Sequence, residues 1–231
     1  MIPIAILAGG LGTRLRPTTE RLPKALVAVR GRPFVDYQLD LLRAQGAGRI
    51  VFCVSYLGEL IEQHVGDGSS QGLEIRYSYD GPQRMGTAGA LKAALPMLGN
   101  RFLAIYGDSY LRCEYAAVER AFTAGNKDGL MTVYRNANAL APSNVLFLDG
   151  EIRAYNKLQP TPAMQHIDFG LSAFDSRAFD DVPSDRATDL ADVFHDLLAR
   201  DELLGYETAT RFYEAGTPEG IADLEAMLGA S

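Results

Sequence analysis

Residues 4–26 read Ile4-Ala-Ile-Leu-Ala-Gly-Gly-Leu-Gly-Thr-Arg-Leu-Arg-Pro-Thr-Thr-Glu-Arg-Leu-Pro-Lys-Ala-Leu26. The segment begins with a continuous apolar run at residues 4–8, which is typical of a buried parallel strand. The loop after this run contains the glycines Gly9, Gly10 and Gly12. Glycines at the carboxyl end of a strand let the backbone approach a ligand and leave N–H groups free for anionic oxygens. Because Arg14 and Lys24 add positive charge suited to phosphate, the segment predicts a polyphosphate-binding loop.

Two common phosphate-binding motifs do not fit this loop. A Walker loop needs the spacing Gly-x-x-x-x-Gly-Lys-Ser/Thr, which does not occur in the chain. A dinucleotide fingerprint needs Gly-x-Gly-x-x-Gly, but Leu15 occupies the third glycine position. The spacing therefore argues against a P-loop NTPase and against a redox Rossmann protein.

The order of residues 9–24 resembles the signature of the sugar-1-phosphate nucleotidylyltransferase family, Gly-Gly-x-Gly-Thr-Arg-Leu-x-Pro-x-Thr followed by Pro-Lys. Here it reads Gly9-Gly-Leu-Gly-Thr-Arg-Leu-Arg-Pro-Thr-Thr19 and then Pro23-Lys24. A second segment, Gly86-Thr-Ala-Gly89, is similar to the mannose- and heptose-1-phosphate guanylyltransferase branch. The resemblance covers residues 4 to about 224. It implies an enzyme that joins a nucleoside triphosphate (NTP) to a sugar 1-phosphate, giving pyrophosphate and an NDP-sugar for cell-surface polysaccharide.

Length and charge limit the partners that the chain can have. The 231 residues suffice for one sizeable α/β core. A formal net charge of −7 argues against nucleic acid or an anionic membrane as a main partner. The isolated residues Cys53 and Cys113 favour a reduced, cytoplasmic protein, and no signal peptide or membrane segment is apparent. The sequence leaves open whether the protein is a monomer or a homo-oligomer.

Apolar periodicity predicts strands and helices that alternate at about 25-residue intervals in the first half. The predicted strands there cover residues 4–8, 50–54, 73–79 and 102–106, and the predicted helices cover 34–45, 57–65 and 88–98. The second half has strands at 129–135, 144–148, 152–157 and 167–174, a helix at about 190–198, then segments 207–211 and on to 214, and a helix at 218–228.

This alternation predicts an α/β fold with a Rossmann-like, doubly wound and mostly parallel sheet. The family resemblance implies the nucleotide-diphospho-sugar transferase fold. We expect one domain over residues 1–231, with a nucleotide-binding half at about 1–128 and a sugar-phosphate-binding half at about 129–231. We also expect all motif residues at the carboxyl ends of strands, where open α/β sheets bind ligands.

The resemblance implies which charged residues act on the phosphates. The expected catalytic residues are Arg14, Lys24, Asp108 and Lys157. Asp108 follows an apolar strand and a glycine, as does the family's Gly-Asp metal ligand. Glu214 stands in Glu214-Ala-Gly-Thr-Pro218, where the family typically has aspartate, and we expect it to be the second Mg²⁺ ligand. Nucleotidyl transfer needs alignment and charge neutralisation more than a strong general base.

The resemblance also implies a sugar-phosphate site in the second half of the chain. Its expected residues are Asn144, Asn156, Lys157, Asp168 and Gly170. Lys157 corresponds to the lysine of the family's Glu-Lys pair, although Asn156 replaces the glutamate. Asp168 replaces the asparagine of the family's Asn-Ala-Gly segment, and its carboxylate can accept two sugar hydroxyls.

The expected nucleotide contacts come from the N-terminal loop and from the Gly86 segment. They are Leu7, Ala8, Gly9, Gly10, Gly12, Thr13, Arg14, Gln83, Gly86 and Thr87. Gly86 allows a base to lie flat against the backbone, and Gln83 can read its edge, so that a valine at position 86 is expected to weaken nucleotide binding without disturbing the fold.

The substrates stay open at this stage. The Gly86 segment favours GTP with a mannose- or heptose-type 1-phosphate, while UTP, CTP and a non-sugar phosphate such as phosphocholine remain alternatives. Because Glu214 and Asn156 depart from the family pattern, a regulatory nucleotide-sugar-binding subunit with weak catalysis is the rival interpretation.

Overall fold

A computed structural model of the chain describes residues 1–81 and 83–230. The strands in this part of the chain are β1 (Ile4–Leu7), β2 (Ala28–Val29), β3 (Arg32–Pro33), β4 (Arg49–Val54), β5 (Glu74–Tyr79), β6 (Arg101–Tyr106), β7 (Ser109–Leu111), β8 (Gly129–Arg135), β9 (Val145–Leu148), β10 (Glu151–Tyr155), β11 (His166–Asp175), β12 (Leu203–Thr208) and β13 (Phe212–Glu214). The α-helices are α1 (Phe34–Ala44), α2 (Gly58–Val65), α3 (Gly86–Leu98), α4 (Tyr115–Gly125), α5 (Leu190–Ala199) and α6 (Pro218–Gly229). No helix among the described residues is long and apolar enough to cross a membrane.

The first half of the chain forms a parallel sheet in the order β5-β4-β1-β6. Strand β1 lies between β4 and β6, with Ile4 opposite Ile50 on one side and Leu103 on the other. The predicted Rossmann-like, mostly parallel arrangement is confirmed. Buried apolar runs specify it because a parallel strand in such a sheet is covered on both faces.

Helices cover both faces of this sheet, as the doubly wound prediction requires. Ile4 and Ile6 point into an apolar cluster with residues of α1, α2 and α4. Ala5, between them, points into a second cluster with residues of α3 and α5. The side-chain alternation of a strand therefore divides the core into two layers, one on each face.

The second half extends the same sheet with mixed directions. Strand β11 pairs antiparallel with β6 and with β8, and β12 pairs parallel with β8. Strands β9 and β10 form an antiparallel hairpin whose first strand contacts the start of β11. Two short sheets, β2 with β3 and β7 with β13, lie outside the central sheet.

Helix α4 and the short strands β2, β3 and β7 are absent from the sequence prediction. Helix α4 nevertheless buries Tyr115, Val118 and Phe122 at helical spacing. The last strand of the central sheet covers Leu203–Thr208, so the segment predicted at 207–211 begins too late. Its true start follows from Leu203, which is buried and pairs with Gly129 of β8.

Candidate functional site

Hydrogen bonds fix both ends of the N-terminal glycine loop. The Ser55 hydroxyl donates to the carbonyl oxygen of Gly9 at 2.7 Å, and the Thr19 hydroxyl donates to that of Gly12 at 2.7 Å. Gly12 adopts φ 59°, a left-handed conformation that favours glycine. A Cβ on Gly10 would meet no atom within 4 Å, so this part of the loop borders open space.

A cavity of about 430 Å³ opens beside this loop at the carboxyl edge of the sheet. Eight of the residues expected from the sequence line it, namely Leu7, Ala8, Gly9, Gly10, Lys24, Gly86, Thr87 and Asp108. The structure adds Cys53, Asp80, Arg84 and Tyr106 to the lining. Gly12, Thr13, Arg14 and Gln83, also expected from the sequence, do not belong to that lining.

A short ion pair in the cavity joins two expected catalytic residues. Lys24 Nζ lies 2.6 Å from Asp108 Oδ2, and each side chain keeps 18% of its surface exposed. Gly216 packs against the same pair, since a Cβ there would lie 2.9 Å from Asp108 Oδ2 and 3.4 Å from both Lys24 Nζ and Arg14 Nη2. Arg14, although outside the cavity lining, therefore reaches the same charged group.

Glu214 lies beside the charged group of Arg14, Lys24 and Asp108, but a different strand from the expected one positions it. It does not follow a strand of the central sheet but ends β13, which pairs antiparallel with β7 so that Glu214 lies opposite Ser109. The neighbouring amide of Ala215 donates to the Asp108 carbonyl at 2.8 Å. The chain then turns into α6, where the Thr217 hydroxyl accepts the Gly220 amide at 3.0 Å. The Gly-Thr-Pro segment thus supplies close packing on Asp108 and a helix start.

The two carboxylates carry the charge that a divalent cation would neutralise. Glu214 keeps an accessible surface, but the surrounding protein partly desolvates its carboxyl group. This desolvation, and next the charge of Asp108, raise the pKa of Glu214, while Arg14 and Lys24 oppose the rise. Within residues 1–81 and 83–230 no group of three or more His, Cys, Asp or Glu residues is arranged to hold a metal. Because Mg²⁺ usually takes one or two protein carboxylates and completes its shell with phosphates and water, Asp108 and Glu214 fit such an ion.

Gln38 holds the turn that carries Asp108. Its side-chain amide donates to the carbonyl oxygen of Tyr106 at 3.1 Å and to that of Ser109 at 2.8 Å. The side chain is 1% exposed, and its Oε1 has no hydrogen-bond partner among the described residues. Sequence reasoning missed Gln38, although a glutamine among the apolar positions of a helix is the available signal.

The expected sugar-phosphate residues meet across Tyr106. Lys157 Nζ lies 3.5 Å from Tyr106 Oη and 5.7 Å from the ring centroids of both Tyr106 and Tyr155. The Tyr155 hydroxyl donates to Asp168 Oδ2 at 3.4 Å, and the Gly170 amide donates to Asp168 Oδ1 at 3.0 Å. Burial raises the pKa of Asp168, and the charge of Lys157 is the largest of the opposing influences.

The position of Asp168 corrects the expectation that every motif lies at the carboxyl end of a strand. Asp168 lies near the amino end of β11. Since β11 runs antiparallel to β6, with Leu171 opposite Ile105, its amino end reaches the same edge as the carboxyl end of β6. The antiparallel strands β6 and β11 thus bring Asp108 and Asp168 to the same edge of the sheet, the one at the carboxyl end of β6.

Asn144 and Asn156 support this part of the cleft through their side-chain oxygens, which accept backbone amides of other residues. Asn144 Oδ1 accepts the Asp168 amide at 3.0 Å. Asn156 Oδ1 accepts the amides of Leu158 and Gln159 at 3.0 and 2.9 Å. The side-chain oxygen of Asn156 is therefore engaged in its own turn, where the family resemblance implied a carboxylate for the sugar.

The Gly86 segment packs against the loop before α5. Gly86 adopts φ 74°, and a Cβ there would lie 2.4 Å from the Thr188 carbonyl oxygen. The Thr87 hydroxyl accepts the Leu190 amide at 2.7 Å. The expectation that Gly86→Val leaves the fold intact is therefore wrong, because the side chain would displace the Thr188 backbone. Gln83 and Arg84 are both exposed, and of the two Arg84 lines the cavity.

Comparison with known proteins gives one matching family and several relatives. The model of the Nucleotidyl transferase family matches residues 4–223. The N-acetylmuramate alpha-1-phosphate uridylyltransferase of Neisseria meningitidis is 28% identical, over 97% of this chain and 97% of its own. The mannose-1-phosphate guanylyltransferase of Mycobacterium tuberculosis is 30% identical, over 96% of this chain and 64% of its own. The crystal structure of HddC from Yersinia pseudotuberculosis complexed with GMP-PN superposes with a TM-score of 0.82 at 24% identity, covering 99% of this chain and 100% of that one.

Proposed function

The chain belongs to the nucleotidyl transferase family of enzymes, and from this premise we propose that it transfers a nucleoside monophosphate from an NTP to a sugar 1-phosphate, with Mg²⁺ as its cofactor. The observation that carries the proposal is the ion pair between Lys24 and Asp108 at 2.6 Å, packed under Gly216 and beside Arg14 and Glu214. Cations and carboxylates gathered at a cavity mouth are suited to neutralise a triphosphate and to position a metal.

We assign the cavity to the NTP. The base and ribose lie between the loop at Gly9 and Gly10 and the start of α3, and the triphosphate extends toward Lys24 and Arg14. An oxygen of the sugar phosphate attacks the α-phosphorus, and the bond from that phosphorus to the pyrophosphate leaving group breaks. Arg14 and Lys24 donate hydrogen bonds to phosphate oxygens and offset the charge that accumulates there.

Asp108 and Glu214 are the residues that would hold the divalent cation. When bound, the ion supplies Lewis-acid stabilisation to the phosphate oxygens. Lys24 already pairs with Asp108 in the structure, so its ammonium keeps this carboxylate neutralised and oriented. Arg14 acts on Glu214 in the same sense.

The sugar phosphate lies in the second half of the cleft in this proposal. Lys157 binds its phosphate, and Asp168 accepts hydrogen bonds from sugar hydroxyls with its orientation fixed by Asn144, Tyr155 and the Gly170 amide. No strong base is needed, because the attacking phosphate oxygen is already anionic.

For the substrates, we retain GTP with a mannose- or heptose-type 1-phosphate. The Gly86-Thr-Ala-Gly89 segment and the mycobacterial guanylyltransferase support this choice. A uridylyltransferase acting on a sugar phosphate is the second candidate, favoured by the neisserial relative that matches 97% of both chains.

The experiment is a matrix of the four common NTPs against several sugar 1-phosphates, with Mg²⁺, scored by pyrophosphate release. We expect release to require both substrates and to be fastest with GTP. Tight binding of an NDP-sugar by wild-type protein without pyrophosphate release from any pair would favour the regulatory subunit instead.

A further inference from the structure

The cavity extends across the carboxyl ends of four neighbouring strands, so one end of the cavity lies well away from the other. Asp108 follows β6, Gly9 follows β1, Cys53 lies in β4, and Asp80 directly follows β5. With strands about 4.8 Å apart, the three intervals from β5 to β6 place Asp80 on the order of 14 Å from the phosphate end. The lining residues Asp80 and Arg84 therefore lie at the end of the cavity where a nucleotide held by Lys24 would place its base.

Asp80 is a half-buried carboxylate that lines the cavity. Its Oδ2 accepts the Met85 amide at a long 3.3 Å, and no donor in the described part of the chain engages Oδ1. Burial raises the pKa of Asp80, and the Met85 amide and the charge of Arg84 oppose the rise. The adjacent Cys53 thiol has its pKa raised to about 12, first by burial and then by the charge of Asp80. This thiol stays neutral, and Asp80 supplies an accepting group at this end.

A carboxylate beside a guanidinium distinguishes the four bases by their edges. Guanine presents two adjacent donors, N1–H and the 2-amino group, next to the acceptor O6. Uracil presents one donor between two carbonyl oxygens, which repel a carboxylate. Cytosine and adenine present an amino group next to a ring nitrogen with a lone pair. Guanine therefore offers the two donors that a carboxylate accepts side by side, and a neighbouring acceptor for arginine.

We propose that Asp80 and Arg84 select guanine, with the Asp80 carboxylate accepting N1–H and the 2-amino group and the Arg84 guanidinium donating to O6. This inference rests on the proposed function, because it needs a nucleotide in the cavity. It assigns base recognition to Asp80 and Arg84 where the sequence favoured Gln83.

The test uses inosine triphosphate (ITP), which lacks the 2-amino group of GTP. Calorimetry with Mg²⁺ and without sugar phosphate measures the Kd of wild-type protein for GTP, ITP and UTP. We expect GTP to bind about tenfold more tightly than ITP, because one hydrogen bond to a charged acceptor is lost. Equal Kd values for GTP and ITP would overturn the proposal without requiring any variant.

Variants then assign the preference to Asp80. In Asp80→Ala the ratio of the ITP and GTP Kd values should fall to about one, while the UTP Kd changes by less than about threefold. Asp80→Asn retains an acceptor for Met85 but cannot accept both guanine donors, so its ratio should also fall. The matched control is Asp67→Asn, because Asp67 lies outside the cavity lining and its carboxyl also accepts a backbone amide, that of Ser69 at 3.0 Å.

The outcomes separate this inference from the proposed function. An unchanged GTP preference in both Asp80 variants would overturn the assignment, yet pyrophosphate release from GTP and a sugar 1-phosphate would leave the proposed function standing. Failure of every NTP to bind to wild-type protein would contradict both. A reduced ratio in the Asp80 variants and an unchanged ratio in Asp67→Asn would support the assignment.

Discussion

Replacing Lys24 by methionine removes one charge from the cluster and retains most of the apolar stem. In the wild type, the ammonium lies 2.6 Å from Asp108 Oδ2, and both side chains are 18% exposed. The variant leaves Asp108 and Glu214 as neighbouring carboxylates, opposed by Arg14. Three effects follow, on catalysis, on the stability of the folded state and on metal binding.

The catalytic effect comes from the loss of one charged donor to the triphosphate. Such a donor contributes about 3 kcal/mol to the transition state, so kcat/KM should fall on the order of 10²-fold. The folded state should lose about 1–3 kcal/mol, less than for a fully buried pair because solvent still reaches both side chains. Since Asp108 no longer shares Oδ2 with an ammonium, Mg²⁺ should raise the Tm of the variant more than that of the wild type.

The assay measures pyrophosphate release and thermal unfolding with and without Mg²⁺. The matched control is Lys127→Met, because Lys127 forms a comparable 2.7 Å ion pair with the exposed Asp201 away from the cleft. The control should retain wild-type kcat/KM and show no change in its response to Mg²⁺. A Lys24→Met variant with near-normal kcat/KM would refute the assignment of Lys24 to the phosphates.

Three further predictions concern residues around the charged cluster. Gln38→Leu leaves the carbonyl oxygens of Tyr106 and Ser109 without their donor, so the free energy of unfolding in urea should fall by about 1–3 kcal/mol. The Mg²⁺ concentration that gives the half-maximal rate should also rise. An unchanged Mg²⁺ requirement would leave Gln38 a purely structural role. Gly216→Ala should displace the Asp108 carboxylate and lower kcat/KM about tenfold or more. The control is Gly48→Ala, which should have no effect on kinetics because a Cβ there meets no atom within 4 Å. Equal kinetics of the two variants would contradict the close packing of Gly216 on Asp108. Asp168→Asn should raise the KM for the sugar phosphate and not that for the NTP. Burial raises the pKa of Asp168 above its ordinary 3.8, so the folded state binds the carboxyl proton more tightly than the unfolded state does, and the contribution of Asp168 to stability declines as the pH rises from the ordinary pKa through the raised one. The asparagine variant should lack this decline in urea unfolding measured from about pH 4 to about pH 7. A decline of wild-type size in the variant would contradict the assignment of this pH dependence to Asp168.

The sequence predicts the parallel half of the fold well because local signals coincide there. A buried apolar run followed by glycines, as at residues 4–12, specifies both a central strand and the loop after it. The same coincidence locates Asp108 after β6. These residues depend on their own segment for position, so a single sequence suffices to find them.

The remaining site residues depend on contacts that are distant in the sequence. Gln38 contacts the Asp108 turn from a helix about 70 positions earlier, since its bond to Ser109 spans 71 residues. Glu214 reaches Asp108 through a short antiparallel sheet that apolar periodicity does not reveal. Asp80 follows an ordinary strand, and the role that we propose for it depends on the order β5-β4-β1-β6, which places it at the far end of the cavity.

The most direct test of nucleotidyl transfer is a ³¹P NMR spectrum of wild-type protein mixed with GTP, mannose 1-phosphate and Mg²⁺. We expect the resonances of GTP and of the sugar phosphate to decrease together while those of a diphosphate diester and of pyrophosphate appear. Asp108→Asn, which removes the charge of one proposed metal ligand, should leave the spectrum of the mixture unchanged over the same time. Conversion of GTP to GDP and inorganic phosphate, with the sugar phosphate intact, would show attack at the γ-phosphorus and would contradict nucleotidyl transfer.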